Sequence, residues 1–99
     1  MALILNWLGH GTWNIDADGV QIVIDPFLAP HNPIAQVTAH DLKPQFILVT
    51  HGHGDHVGDT VAIAKRTGAL AVSNAEISRW LAGKGIKTQG QHIGGGHEY

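Results

Sequence analysis

Apolar residues in this chain follow short periods broken by glycine and proline, and that rhythm predicts a mixed α/β order. In Leu3–Leu8, Leu3, Leu5 and Trp7 interleave with Ile4, Asn6 and Leu8. Both faces are largely apolar, which predicts a strand in a sheet covered on each side. Gly9-His10-Gly11 reads as a turn and Thr12–Asp16 as a second strand. Ala17-Asp18-Gly19 supplies hairpin chemistry, with Gly19 suited to a left-handed angle. Val20–Ile24 is a third strand, rich in β-branched residues and stopped by Pro26. Phe27–Lys43 is a long loop with room for a helical turn near Thr38–Leu42. Loops of this length in compact domains are usually functional or mobile. Phe46–Val49 is a short apolar strand.

The second half alternates helices and strands. Asp59 is placed to cap a helix running to Thr67, with Val57, Val61 and Ala64 inward and Gly68 after its end. Leu70–Val72 is a strand. Ser73 and Glu76 have capping-box spacing before a helix over Ala75–Lys84. That helix is expected to bury Ile77, Trp80 and Leu81, and Gly85 closes it. Ile86–Ile93 is a weak strand. A hairpin followed by strand–helix–strand–helix–strand is α/β.

Between Phe46–Val49 and the first helix lies Thr50-His51-Gly52-His53-Gly54-Asp55-His56-Val57-Gly58-Asp59. Imidazole and carboxylate are the usual ligands for borderline divalent metals such as zinc. Side chains at i and i+2 of an extended segment share a side, so His51 and His53 can reach one ion. Asp55 and the adjacent His56 can turn to a second ion if the chain bends, and Gly52 and Gly54 make that bend cheap. A His-x-His-x-Asp-His arrangement has a chance probability of about 0.003 in a chain of this composition, so a coincidental polar loop is disfavoured. A strand end is also where open α/β sheets place their sites.

Composition narrows the class. Ninety-nine residues, 43% hydrophobic and 14% charged, fit one glycine-rich globular domain. A net charge of −2 gives no basic footprint for nucleic acid or an anionic membrane surface. Cysteine is absent, which excludes disulfides and thiolate metal sites. Ala2–Leu5 is too short for a secretory signal, and no stretch approaches a membrane span. The cytoplasm is the default compartment.

Thr-His-Gly-His-Gly-Asp-His resembles the signature of the metallo-β-lactamase superfamily of metal-dependent hydrolases. Trp7-Leu8-Gly9-His10-Gly11, Ile24-Asp25-Pro26-Phe27-Leu28, Asp59–Ala69 and His92-Ile93-Gly94-Gly95 are similar to a branch close to the ascorbate-phosphate lactonase group. The resemblance implies a four-layer αββα sandwich of two similar halves, of which this chain covers the N-terminal half, one sheet plus helices. It implies two divalent ions, zinc or alternatively manganese or iron. His51 and His53 would bind the first, and Asp55 and His56 the second. Asp55 would also take part in proton transfer. Asp25 would support the histidine loop from behind, since ligating histidines commonly donate their other N–H to a carboxylate. His10 would line the site, to orient substrate or face a developing oxyanion.

The implied reaction is hydrolysis of an ester, lactone or phosphoester of a small molecule. Two ions about 3.5–4 Å apart activate water and stabilise both attacking and leaving oxygens. The competing reading is a non-catalytic metal-binding half-domain that acts only by assembly. A catalytic zinc usually has three protein ligands, and this chain offers two per ion. The balance is expected from a C-terminal half or a second copy. The chain ends at His97-Glu98-Tyr99 with no capping or turn chemistry, which reads as one partial domain spanning 1–99. His31 and His40 are expected in solvent, His92 in a structural role and His97 incidental. For Thr50 and Asp59, capping and loop-shaping suffice.

Overall fold

The computed structural model describes residues 2–91 and 94–99. One six-stranded sheet runs in the order β1-β2-β3-β4-β5-β6. Strands β1 (Leu3–Gly9), β2 (Thr12–Ala17) and β3 (Val20–Ile24) form an antiparallel meander. Strands β4 (Phe46–Leu48), β5 (Leu70–Ser73) and β6 (Thr88–Gly90) continue it in parallel. The helices are α1 (Gly54–Val57), α2 (Thr60–Thr67) and α3 (Ala75–Gly83). A 3₁₀ turn, Ala39–Asp41, interrupts the long loop. The α/β order and most boundaries agree with the pattern of the sequence. The β6 reading extended to Ile93, and His92 and Ile93 lie outside the described residues.

The sheet has two unlike faces. Val23, Ile47 and Ala71 stand in register on one of them and are fully buried beneath Ile63 and Ala64 of α2 and Leu81 of α3. On the other, Trp7, Trp13, Ile24, Leu48 and Val72 form one row across five strands, and Leu5, Ile15, Ile22, Phe46 and Leu70 form the next. None of these ten is polar, and none is fully buried. The only described aromatic contact on this face comes from the chain's own end, where the Tyr99 ring meets Phe46 at 5.8 Å. An apolar surface this continuous is uncommon on a soluble monomer.

Five expectations need correction. Strand β1 is not covered on both sides. It is the sheet edge, beyond the reach of α2 and α3, and Ile4 on the helix side is 53% exposed. Asp59 occupies the N-cap position of α2 without capping it. Its carboxylate instead accepts from Leu28 N–H at 3.1 Å, tying the long loop to the helix start. The cap of α3 is Asn74, one residue beyond the Ser73/Glu76 box, with its side chain accepting from Ile77 N–H at 2.9 Å. Trp80 is half exposed. The inward residues of α3 are Leu81 and Ser78, because the helix packs towards β5 and β6 along that stripe. In α2 the inward residues are Thr60, Ile63 and Ala64, with Val57 and Val61 at the core's margin.

The long loop is anchored rather than loose. Leu28 and Asn32 are buried, and the Asn32 amide donates to Phe27 O at 3.0 Å. Its beginning is clamped to the end of the histidine segment, where Asp59 N–H donates to Pro26 O at 2.8 Å. Gly58 makes that approach possible. Its φ is 46°, and a Cβ there would lie 2.2 Å from Pro26 O. Gly58→Ala is therefore expected to cost about 3 kcal/mol or more. Urea unfolding of the variant beside the parent chain checks this, and an unchanged midpoint would contradict the clamp.

Candidate metal centre

Parallel pairing of β3 and β4 aligns Ile24 with Leu48, so both strands end together. The residues that follow, Asp25 on one side and Val49-Thr50-His51 on the other, meet at the carboxyl edge of the sheet. Asp25 N–H extends the ladder by donating to Leu48 O at 2.9 Å. Asp25 then takes a left-handed φ of 46°, which aspartate tolerates better than most residues. Thr12, fully buried on β2, fixes this corner. Its hydroxyl donates to Asp25 O at 2.6 Å and accepts from Phe27 N–H at 3.0 Å.

Asp25 is only 3% exposed, and a buried carboxylate must be satisfied by donors. It has three. Oδ1 accepts from Thr50 N–H at 2.8 Å, and Oδ2 from the Thr50 hydroxyl at 2.6 Å. The third donor is His56 Nδ1, 2.8 Å from Oδ2. With Nδ1 protonated towards Asp25, the Nε2 lone pair of His56 is left free, as a ligand requires. Gly11 leaves room for this ring, since a Cβ at that position would lie 3.0 Å from His56 Cε1.

The other side chains gather around His56. The His51 ring lies against it, tilted by 45°, with ring centroids 4.0 Å apart, and His53 meets His51 at 4.7 Å. His10, on the β1–β2 turn at φ 55°, lies 5.1 Å from the His56 ring and 5.6 Å from Phe27. Its Nε2 sits 2.9 Å from Asp55 Oδ2. That hydrogen bond from His10 is the main reason the Asp55 carboxyl is held below the ordinary aspartate range. Asp55 Oδ1 is 4.0 Å from His56 Nε2. This is too long for a hydrogen bond and somewhat longer than the about 3.3 Å that separates two tetrahedral zinc ligands.

Among the described residues, two groups offer three ligand atoms within 4.8 Å of one another: His10 with Asp55 and His56, and Asp25 with His51 and His56. The donors are imidazole nitrogens and carboxylate oxygens, which suit a borderline divalent ion. Asp25's oxygens already serve three donors, and its more heavily used Oδ2 is the oxygen nearest the histidines. Of the residues singled out in the sequence, His10, Asp25, His51, Asp55 and His56 converge here. His53 joins through the His51 ring and belongs to neither three-ligand group. His31 and His40 are exposed, and His97 meets only Tyr99 among described aromatic partners, at 4.6 Å.

The bend foreseen after Gly54 is the single turn α1, which carries Asp55 and His56 on adjacent positions. Thr12 and Thr50 are the residues that sequence reasoning did not bring to the site. Their partners lie 13 to 25 positions away, and only the position of Thr50, directly ahead of the first histidine, could have drawn attention to it.

Comparison with known proteins places this geometry. The chain is 48% identical over 95 residues to a metal-dependent hydrolase of the UPF0173 group from Bacillus cytotoxicus, and 45% identical to one from Geobacillus thermodenitrificans. These alignments cover 96% of this chain but only 41% and 42% of the relatives, so the chain spans less than half of their length. Among solved structures, Igni18, a metallo hydrolase from the hyperthermophilic archaeon Ignicoccus hospitalis, superposes with a TM-score of 0.88 at 37% identity. That match covers 97% of this chain and 42% of Igni18. The sequence profile described as the metallo-beta-lactamase superfamily matches residues 6–98, nearly the whole chain, which therefore belongs to the metallo-β-lactamase superfamily.

Proposed function

We propose that this chain contributes the histidine-rich part of a dinuclear hydrolytic centre that cleaves an ester, lactone or phosphoester of a small molecule. The observation that carries the reading is the convergence of His10, His51, Asp55 and His56 at the ends of β3 and β4, with the Nδ1 of His56 turned inward on Asp25. His51 and His53 would hold one divalent ion, and Asp55 and His56 a second. Zinc suits these donors best, with manganese or iron as alternatives. Such ions would supply Lewis acidity and a water acidic enough to attack near neutral pH.

The chain's own groups have distinct tasks in this reading. Asp25 holds His56 in the tautomer whose Nε2 faces outward. Asp55 is ionised at neutral pH and can carry a proton towards a leaving oxygen. His10, which donates to Asp55 from Nε2, can redirect that N–H to an oxygen gaining negative charge. The remaining ligands would come from the portion that longer relatives possess, or from a second copy of the chain. Acidic residues outnumber basic ones eight to six, which favours a small substrate over nucleic acid.

A second reading is a non-catalytic metal-binding half-domain that works by assembly. The open apolar face of β1–β5 favours it. One experiment separates the two: the metal-to-protein ratio of a size-exclusion fraction of known mass, assayed in parallel on an ester and lactone panel. Hydrolysis with two ions per chain supports the first reading, and a metal-loaded dimer without turnover supports the second. In an active form containing the C-terminal portion, His53→Ala should abolish chelator-sensitive hydrolysis. The expected loss exceeds the roughly 10–100-fold that follows removal of an outer-shell partner. Activity that survives the change would remove His53 from the ligand set.

The His10–Asp55 contact has its own pH signature. Because the folded pKa of Asp55 is depressed, the contact stabilises above the ordinary aspartate range and is lost as pH falls through the lowered value. His10→Ala should move the Asp55 carboxyl titration upward, towards the ordinary range. Carboxyl-detected NMR of the metal-free chain checks the sign, and no movement would assign the depression to another cause.

A further inference from the structure

We infer that Thr50 is a positioning residue through which one carboxylate, Asp25, sets the tautomers of two histidines at once, His56 directly and His51 by relay. The geometry is a continuous chain of short contacts. His51 Nδ1 is 2.9 Å from Thr50 Oγ1, Thr50 Oγ1 is 2.6 Å from Asp25 Oδ2, and the same Oδ2 is 2.8 Å from His56 Nδ1.

Proton counting fixes the direction. A carboxylate only accepts, so both neighbours of Oδ2 must donate to it. The Thr50 hydroxyl has a single proton, and the 2.6 Å contact with Asp25 uses it. Towards His51 the same oxygen can then only accept, so His51 Nδ1 must carry a hydrogen. His51 and His56 are thereby both Nδ1–H, with both Nε2 lone pairs free, and their rings lie 4.0 Å apart. Thr50 also donates its backbone N–H to Asp25 Oδ1 at 2.8 Å, which holds the hydroxyl in place. Serine keeps the hydroxyl, whereas valine keeps the shape and the backbone N–H but loses the relay. The arrangement explains why a threonine stands between strand β4 and the histidines, a task that loop-shaping leaves unspecified.

The test reads tautomers by long-range ¹H–¹⁵N NMR on the metal-free chain labelled at histidine, above about pH 8.5, where imidazoles are neutral. His51→Gln and His56→Gln spectra supply the assignments. In the parent chain both residues should show a protonated Nδ1 and a bare Nε2. In Thr50→Val, His51 should lose that preference while His56 keeps it, and Thr50→Ser should restore His51. Asp25→Asn should perturb both histidines. The relay is overturned if His51 stays Nδ1–H in Thr50→Val, or if His51 and His56 change together there. The second outcome would mean that Thr50 merely holds the loop.

A second measurement rests on the metal-binding reading above: titration with Zn²⁺ alone. Thr50→Val should bind roughly 10–100-fold more weakly than the parent, with recovery in Thr50→Ser. Intact tautomer changes with unaltered Zn²⁺ affinity would uphold the relay and count against His51 as a ligand, so the two ideas fail separately.

Discussion

The buried carboxylate of Asp25 must be satisfied by donors, and meeting that need brings the separate segments of the site together. Asp25 sits 3% exposed at a strand end, where an unpaired charge would cost several kcal/mol. Satisfying it draws Thr50 and His56 from a segment 25 to 31 positions away. The corner that presents it is held in turn by the Thr12 hydroxyl, and the following loop is clamped at Pro26 by Asp59 N–H across Gly58. The site is therefore built backward from its buried anchor. The parallel β3–β4 pair supplies the platform, the carboxylate draws the histidine segment onto it, and the glycines let the backbones close. The chain's own hydrogen bonds orient the groups that would face a metal.

How much of this was legible in the sequence depends on how far apart the interacting residues lie. The hairpin was readable because Asp18-Gly19 is chemically suited to two positive φ angles, and it takes 53° and 89°. The stop of α2 was readable because Gly68 takes a left-handed angle, 75°. The His-rich segment was readable because its donors are contiguous. Local pattern failed where packing decides between near-equal alternatives. Ser73 and Asn74 both suit an N-cap, and burial of Ser73 beneath Val49 O leaves Asn74 free to cap. The spacing of Ile77, Trp80 and Leu81 marks an apolar stripe, but it does not reveal that neighbouring Ser78 takes the inward place and leaves Trp80 outside. The contacts that join Thr50 to Asp25 and His10 to Asp55 span 25 and 45 positions and carry no periodic signature.

The two faces of the sheet follow from the same economy of length. Helices α2 and α3 cover the side bearing Val23, Ile47 and Ala71, and they account for the buried core. Across the other face, five strands present apolar side chains in register, with Trp7 58% exposed at the edge strand. Relatives more than twice as long share this part of the fold, as does Igni18. An all-apolar face with no charged residue to discourage association is what a layer made for burial looks like.

That face and the candidate centre are physically joined at Trp7. Its indole N–H donates to His10 O at 2.8 Å, so the ring that opens the apolar row also holds the turn carrying His10. His10 reaches Asp55, and Asp55 stands opposite His56. Among the described residues, the Trp7 indole is the one side chain that bonds the turn backbone at His10, and it is itself 58% exposed. His51 and His56 need no such help, because Asp25 holds them from within. The inner histidines are set from within the fold, while the outer His10–Asp55 pair, 2.9 Å apart, is exposed and is tied to the apolar row only through Trp7.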